Sequence, residues 1–279
     1  MHADPGRTVS HGVKEGTSLM FRRTVWASLI GLSLVALAGC GTTSTGSASS
    51  GSDTLRVAIN PGFVPFEQID AGKLTGFDVD LAKELSHRLG RTDVSFDQMP
   101  FTSLLAAVTS GRDEVAISGI LDTADRRKQV SFSQPYIYDS FVISTKSSND
   151  SVKGISNLTN ATVAVQVGTI PEEFVRQQLP HAKIVTTQDT PSAFQLVAQG
   201  RADSVITDAP VAGYYIQHLS GLKVLPTPLN AGQPIGVVLP LQSTLQQQVD
   251  AALAAMESDG TLPKMRHTWF GSPDAKTGN

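Results

Sequence analysis

Residues able to hold or attack a small molecule are sparse in this chain of 279 residues, and the informative ones end two matching segments. Ser103–Gly119 aligns without gaps on Ser192–Asp208, 89 residues further on. Each copy carries an apolar helical stripe, a Gly-Arg turn (Gly111-Arg112 and Gly200-Arg201) and a short apolar run that reads as a buried strand. The first copy stops at Ser118-Gly119 and the second at Thr207-Asp208. Open α/β sheets bind ligands at the carboxyl ends of their strands. Two similar lobes set face to face would therefore aim both pairs into one cleft. Asp78 and Asp80 have the residue type for paired acid–base chemistry. They stand at a helix start, however, where carboxylates cap free N–H groups and complement the dipole. His87, His181, His218 and His267 are isolated and never at metal-ligand spacing. No His-Glu-x-x-His, Gly-x-Ser-x-Gly, cysteine cluster or phosphate loop occurs, so no metal and no cofactor is expected.

The elements that must carry these groups follow from pattern. Thr54 to Ile59 reads as a strand, closed by Asn60-Pro61-Gly62. A helix opens near Asp78, keeps Val79, Ala82, Leu85 and Leu89 at helical spacing, and stops at Gly90. Val94 to Met99 is a second strand ahead of the first repeat copy. Phe141 to Ser144 reads as a strand leaving the first lobe, and Ala161 to Val165 opens the second lobe by echoing the first strand. A helix over Glu172 to Gln178, a strand over Lys183 to Thr186, the second repeat copy and a helix over Pro210 to Leu219 follow. Ile235 to Leu239 is placed to return to the first lobe, with helices over Thr244 to Ser258 and Leu262 to Trp269 behind it. Two crossovers make a natural hinge. The division expected is 53–141 with 237–272 for lobe one, 142–236 for lobe two, and a disordered tail at 273–279.

The front of the chain speaks to location. Phe21-Arg22-Arg23 precedes 15 apolar residues from Thr24 to Ala38, too few for a spanning helix but suited to a secretory signal. Nothing before Met20 has signal character, which points to Met20 as the true start. The run closes on Leu37-Ala38-Gly39-Cys40, which looks like a bacterial lipobox, with cleavage before Cys40 and lipid attached to its thiol. Residues 1–39 are thus expected to be removed, and 40–52 to be the lipidated Cys and a Gly/Ser/Thr tether with a reach of about 20 Å. The only Cys of the chain cannot form an internal disulfide. Without residues 1–39 the chain carries 18 basic and 23 acidic residues, a net charge of −5. No basic stripe survives and aromatics are sparse, which excludes a nucleic-acid partner.

From Leu55 to Gly271 the chain resembles the solute-binding protein family 3, the polar amino acid binding lipoproteins of ABC importers. The resemblance rests on an ordered set of stretches: Val57 to Glu67, Leu74 to Ala82, Ile117 to Ile120, Asp125-Arg126-Arg127, Val130 to Tyr136, Val167-Gly168-Thr169, Val205 to Pro210, and Asp259 to Gly271. It implies the two-lobed α/β periplasmic-binding-protein fold of type II, and a monomer that hands a small polar amino acid to a permease driven by a separate ATPase. It also implies roles. Arg126 would take the α-carboxylate, since a planar guanidinium donates in pairs; backbone groups at Ser118-Gly119 and the amide and hydroxyl of Thr169 would complete the cradle. Asp208 would take the α-ammonium. Asn60, Phe63, Phe101 and Gln166 would build the side-chain pocket. Relatives that bind a cationic or amide side chain often carry Asp at the position of Asn60, and some a Lys at Gln166. Two neutral amides here imply a polar ligand, uncharged or bound with weak selectivity, rather than a strongly basic one.

Departures from the family pattern stand beside this. Leu121 and then Asp122 occupy the place where many relatives carry a Ser or Thr hydroxyl. Asp122 would repel a carboxylate if it pointed inward, and as a turn residue it points out. Ile170-Pro171 replaces the small residues usual after Thr169. Two readings compete: a binder of a small ligand that is not an amino acid, and an enzyme on the same fold, related to cyclohexadienyl dehydratases. Glu172 or Glu173 would supply the enzyme's carboxylate, although both sit where carboxylates complement a helix dipole.

Overall fold

The computed structural model describes residues 53–271. The expected signal sequence, Cys40 with its tether, and the tail at 273–279 lie outside the described residues. Strand β1 (Thr54–Ile59) leads into the hairpin β2 (Gln68–Asp70) and β3 (Lys73–Thr75), then α1 (Phe77–Arg88), β4 (Asp93–Gln98), α2 (Leu104–Thr109), β5 (Val115–Ala116) and β6 (Val130–Phe132). The chain then runs through β7 (Ile137–Asp139) into β8 (Phe141–Lys146), followed by β9 (Thr162–Gln166), α3 (Ile170–Gln178), β10 (Lys183–Thr187) and α4 (Thr190–Ala198). Next come β11 (Ser204–Asp208), α5 (Ala209–His218), β12 (Leu222–Val224), β13 (Gln233–Ile235), β14 (Val238–Pro240), α6 (Gln246–Ser258) and α7 (Thr261–Phe270).

Two five-stranded sheets result, in the orders β4-β1-β5-β14-β6 and β10-β9-β11-β8-β12. They repeat one plan. In each, the first three strands are parallel and the fourth runs antiparallel to them. Burial explains the composition of the central strands: Leu55, Val57, Ala58 and Ile59 of β1 and Val163, Ala164 and Val165 of β9 are fully buried, as strands covered on both faces require. The helices close those faces with single stripes, as α1 does with Phe77, Val79, Leu81, Ala82 and Leu85.

The repeat read from sequence is present in space. Gly111 and Gly200 turn with φ of 75° and 74°, and α2–β5 and α4–β11 are its two copies. The expected strand over 235–239 is divided, because the chain changes partners there. β13 pairs with β7 (Asp139↔Gln233, Ile137↔Ile235), whereas β14 pairs with β5 and β6. The ribbon β7–β13 thus carries both passages between the sheets. It is tied to the loop after β5 by Asp122 N–H to Pro234 O at 2.8 Å and Gly236 N–H to Ile120 O at 3.3 Å.

Asp78 corrects an expectation. It neither caps α1 nor meets solvent; it lies in the first turn, fully buried, while the N-cap is Gly76 without a side-chain bond. Asp80 does remain at the surface, where it accepts from the Trp269 indole at 3.0 Å.

Candidate functional site

A cavity with about 310 Å³ of empty space lies between the two sheets. The first sheet contributes Asn60 just past β1, Phe63 in the following turn, Phe101 after β4, and Gly119 and Leu121 after β5. Arg126 reaches in from a short 3₁₀ turn, Arg126–Lys128. The second sheet contributes Gln166 at the end of β9 and Asp208 at the end of β11, with Thr169, Ile170 and Pro171 at the start of α3. Strand ends from both sheets therefore meet in one place, as the sequence argument required. A wider, open hollow of about 1350 Å³ near Arg56, Arg91, Glu114 and Pro240 contains none of the predicted residues.

Nine of the ten residues singled out from sequence line the cavity, and Ser118 does not. The Ser118 hydroxyl accepts from the Asn60 N–H at 3.0 Å and donates to Glu67 Oε1 at 2.6 Å. The Gly119 N–H is likewise engaged, donating to Asp78 Oδ2 at 2.6 Å. That amide is unavailable to a carboxylate, so the donors expected from Ser118-Gly119 are spent on holding the loop. Gly119 itself has φ +57°, and a Cβ there would lie 2.5 Å from the Phe63 ring. The Thr169 hydroxyl donates to Gln166 O at 2.8 Å and accepts the Glu172 N–H at 3.4 Å, capping α3.

Arg126 donates to Leu121 O at 2.8 Å and, across the cavity, to Gly168 O at 3.4 Å, and its guanidinium lies 5.5 Å from the Phe101 ring centroid. Burial pulls its pKa down to about 10, against the opposing fields of Asp208 and Glu173. Asp208, at 4% exposure, has its carboxyl pushed up to about 7 by burial, with Arg126 pulling the other way. Its Oδ1 has no hydrogen-bond partner. A half-buried cation and a buried carboxylate with spare hydrogen-bonding capacity thus face the cavity from opposite sheets.

Two features had no signal in the spacing of residues. Glu67 and Asp78 form a fully buried carboxyl pair behind Gly119, with Tyr136 OH donating to Asp78 Oδ2 at 3.2 Å. Burial and the neighbouring Asp78 hold Glu67 well above the usual carboxylate range, and burial pushes Asp78 up to about 7. Glu67 Oε2 and Asp78 Oδ1 have no hydrogen-bond partner. Asp139 of β7 is the second feature: burial and the charge of Asp208 hold it well above the usual range. A lone acid among apolar strand residues was the available clue.

Asp122 is taken up by Arg127, whose Nε donates to its Oδ1 at 2.6 Å. Glu172 accepts the Gly168 N–H at 2.7 Å and pairs with Arg176, while Glu173 accepts from Gln177 at 3.0 Å. Among the described residues, no group of three or more His, Cys, Asp or Glu could hold a metal ion.

Known proteins resemble this chain over nearly all of the described residues. The family pattern of the bacterial extracellular solute-binding proteins, family 3, matches residues 55–272. The ABC transporter arginine-binding protein 1 of Escherichia coli (strain K12) is 30% identical over 228 residues, covering 80% of this chain and 93% of that protein. An ancestral arginine-binding protein has been solved with arginine (36% identity, TM-score 0.75, 78% of this chain and 99% of that one) and with glutamine (37%, 0.75, 79% and 99%). An ancestral amino acid-binding protein described as a precursor of cyclohexadienyl dehydratase is 36% identical, with a TM-score of 0.74 over 78% of this chain and 96% of that one.

Proposed function

Because the chain belongs to the bacterial extracellular solute-binding proteins of family 3, a family of type II periplasmic binding proteins, we propose that its cavity clamps one amino acid between the lobes. The protein works outside the cytoplasm as the substrate-binding component of an amino acid ABC transporter. The observation that carries the site assignment is the opposition of Arg126 and Asp208 across the cavity. Arg126 takes the α-carboxylate with paired donors, helped by the N-terminus of α3 beside Thr169. Asp208 takes the α-ammonium, and each partner then lies in the other's half of a desolvated zwitterion. Phe63, Phe101 and Leu121 wall the side chain, with Asn60 and Gln166 at its polar end. A ligand held by both lobes binds the closed state better than the open one, which is what drives closure.

The lobes are assigned as 53–141 with 237–272, and 142–236, with the ribbon β7–β13 as hinge. Lipid at Cys40 anchors the protein to the membrane, next to a permease whose ATPase supplies the energy. The ligand is an uncharged amino acid, because neither Asn60 nor Gln166 offers a charge to a basic side chain. Catalysis is not part of this reading, since Glu172 and Glu173 are spent on Gly168, Arg176 and Gln177. The close relatives are solute-binding proteins.

Isothermal titration of the purified protein, stripped of carried-over ligand, with each common amino acid tests the assignment. One or a few neutral amino acids should bind in the wild type and none in Arg126→Ala. Turnover of prephenate or arogenate would instead establish the enzyme reading.

A further inference from the structure

Two buried amides already hold each other across the cleft. Gln166 Nε2 donates to Asn60 Oδ1 at 2.8 Å, joining the end of β9 in the second sheet to the end of β1 in the first. Exposure of the two residues is 7% and 8%. Their remaining groups are largely spoken for. Asn60 Nδ2 donates to Met99 O at 2.8 Å, and Gln166 Oε1 accepts from the Thr190 hydroxyl at 3.0 Å. The second hydrogen on Gln166 Nε2 points to Gln188 O at 3.2 Å. Each amide is thereby fixed by its own lobe and aimed at the other.

We propose that the Asn60–Gln166 amide bridge is a latch that favours the closed cleft before any ligand arrives and ends the side-chain pocket, so that the site selects amino acids with short, neutral side chains. The latch is a property of the two lobes alone, whereas the selectivity rests on the amino acid reading of the cavity. A guanidinium or a lysine ammonium reaching Asn60 Oδ1 competes there with the Gln166 amide, and if it displaces that amide, one Gln166 N–H is left buried without a partner while the other keeps Gln188 O. Neither amide repays this with a charge. Apart from Arg126, Thr169 and Asp208, which the amino acid reading assigns to the ligand's charged groups, the side chains on the wall are apolar (Phe63, Phe101, Leu121, Ile170 and Pro171), which suits an alkyl or hydroxymethyl group rather than a long cationic one. Close backbone approach supports the same closed geometry: a Cβ on Gly168 of the second lobe would lie 2.7 Å from Thr102 Cγ2 of the first.

The test uses ligand-stripped protein and two variants, Gln166→Met, which keeps the volume but has no donor, and Asn60→Ala. Small-angle X-ray scattering without ligand should show a closed wild type and a shift toward a larger radius in both variants. One lost neutral hydrogen bond corresponds to a change of about 2- to 13-fold in the closed-to-open ratio. Titrations with L-alanine, L-serine and L-arginine then read selectivity: the wild type should favour the two short ligands, and Gln166→Met should lose most of that preference. Variants that remain folded by circular dichroism yet scatter like the wild type overturn the latch, as does an open wild type. Arginine binding as tightly as serine in the wild type overturns the selectivity. No heat from any amino acid sinks the amino acid reading itself and with it the selectivity, while the scattering still decides the latch.

Discussion

β5 and β11 close two copies of one helix-turn-strand unit, yet their ends do opposite jobs. At the end of β5 the chain spends its polar groups inward: Ser118 and Gly119 are tied to Glu67 and Asp78, and the cavity is lined from there by Gly119 and the apolar Leu121. At the end of β11 the acid itself lines the cavity, and Asp208 Oδ1 is left without a partner. In the first lobe the buried acids stand behind the loop and fix it. In the second the buried acid is the group we propose for recognition, and its charge acts on Asp139. A duplicated unit thus conserves where a strand ends, while the side chains packed behind it decide whether that end is a brace or a contact.

The largest expected effect sharpens this contrast on the contact side. Arg126→Ala leaves Asp208 buried without its opposing cation and the ligand carboxylate without its donors. Loss of a buried charged partner costs about 3–5 kcal/mol, so calorimetry should read a fall in affinity of at least about 100-fold. On the brace side, Gly119→Ala puts a methyl against Phe63 at a positive φ, a combination of overpacking and strain worth about 1–3 kcal/mol. The melting temperature should drop by several degrees, with a parallel loss of binding. An unchanged melting temperature would contradict the close Gly119–Phe63 packing.

pH separates the two acidic sites further. Asp208 has its carboxyl pushed up to about 7 by burial, with Asp139 and Arg126 as the charged groups near it. An ammonium ligand favours the ionised form, so affinity should rise from pH 5.5 to pH 8 and binding near pH 6.5 should release protons to the buffer. Asp208→Asn should weaken binding and flatten this dependence. For Glu67 and Asp78 the sign concerns stability. Both have folded-state values raised above those of an unfolded chain, so the native state holds more protons and its stability falls as pH rises from about 4 through about 7. Thermal melts at pH 5 and pH 8 should differ in that direction, and Asp78→Asn should shrink the difference. The smallest effect is expected at Glu173→Gln, an exposed carboxylate paired with Gln177, where affinity should stay within about twofold.

Much of this was legible because it is local or repeated. The Gly-Arg turns fixed the position of both strand ends, and the family stretches carried Arg126 and Asp208 to the cavity. What stayed hidden depends on groups brought together over long separations. Asp78 looked like an ordinary helix-start carboxylate because nothing in its spacing reveals that Gly119 and Tyr136, both beyond residue 115, supply its solvation. Ser118 was rightly placed at a strand end, but which way its hydroxyl turns is decided by Glu67. Asn60 and Gln166 were each marked as pocket residues, and their mutual bond across 106 positions is invisible to any pattern. The split between β13 and β14 was missed because a change of strand partner leaves no trace in hydrophobic alternation.

The insertion of β14 between β5 and β6 has a consequence for biogenesis. The second sheet is built from the continuous stretch Phe141–Val224, so it can assemble as soon as that stretch is free. In the first sheet β6 has no neighbouring strand until β14 arrives to join it to β5, and the core stays open longer still. Phe66 and Phe77 wait for Phe270 of α7, whose ring settles 5.0 Å and 4.9 Å from theirs. Tyr136 likewise waits for the buried Arg266 to reach its carbonyl at 3.2 Å. A chain threaded amino end first through an export channel therefore presents its first lobe early and finishes it last, and losing α7 alone would strand that lobe half-built beside a completed neighbour.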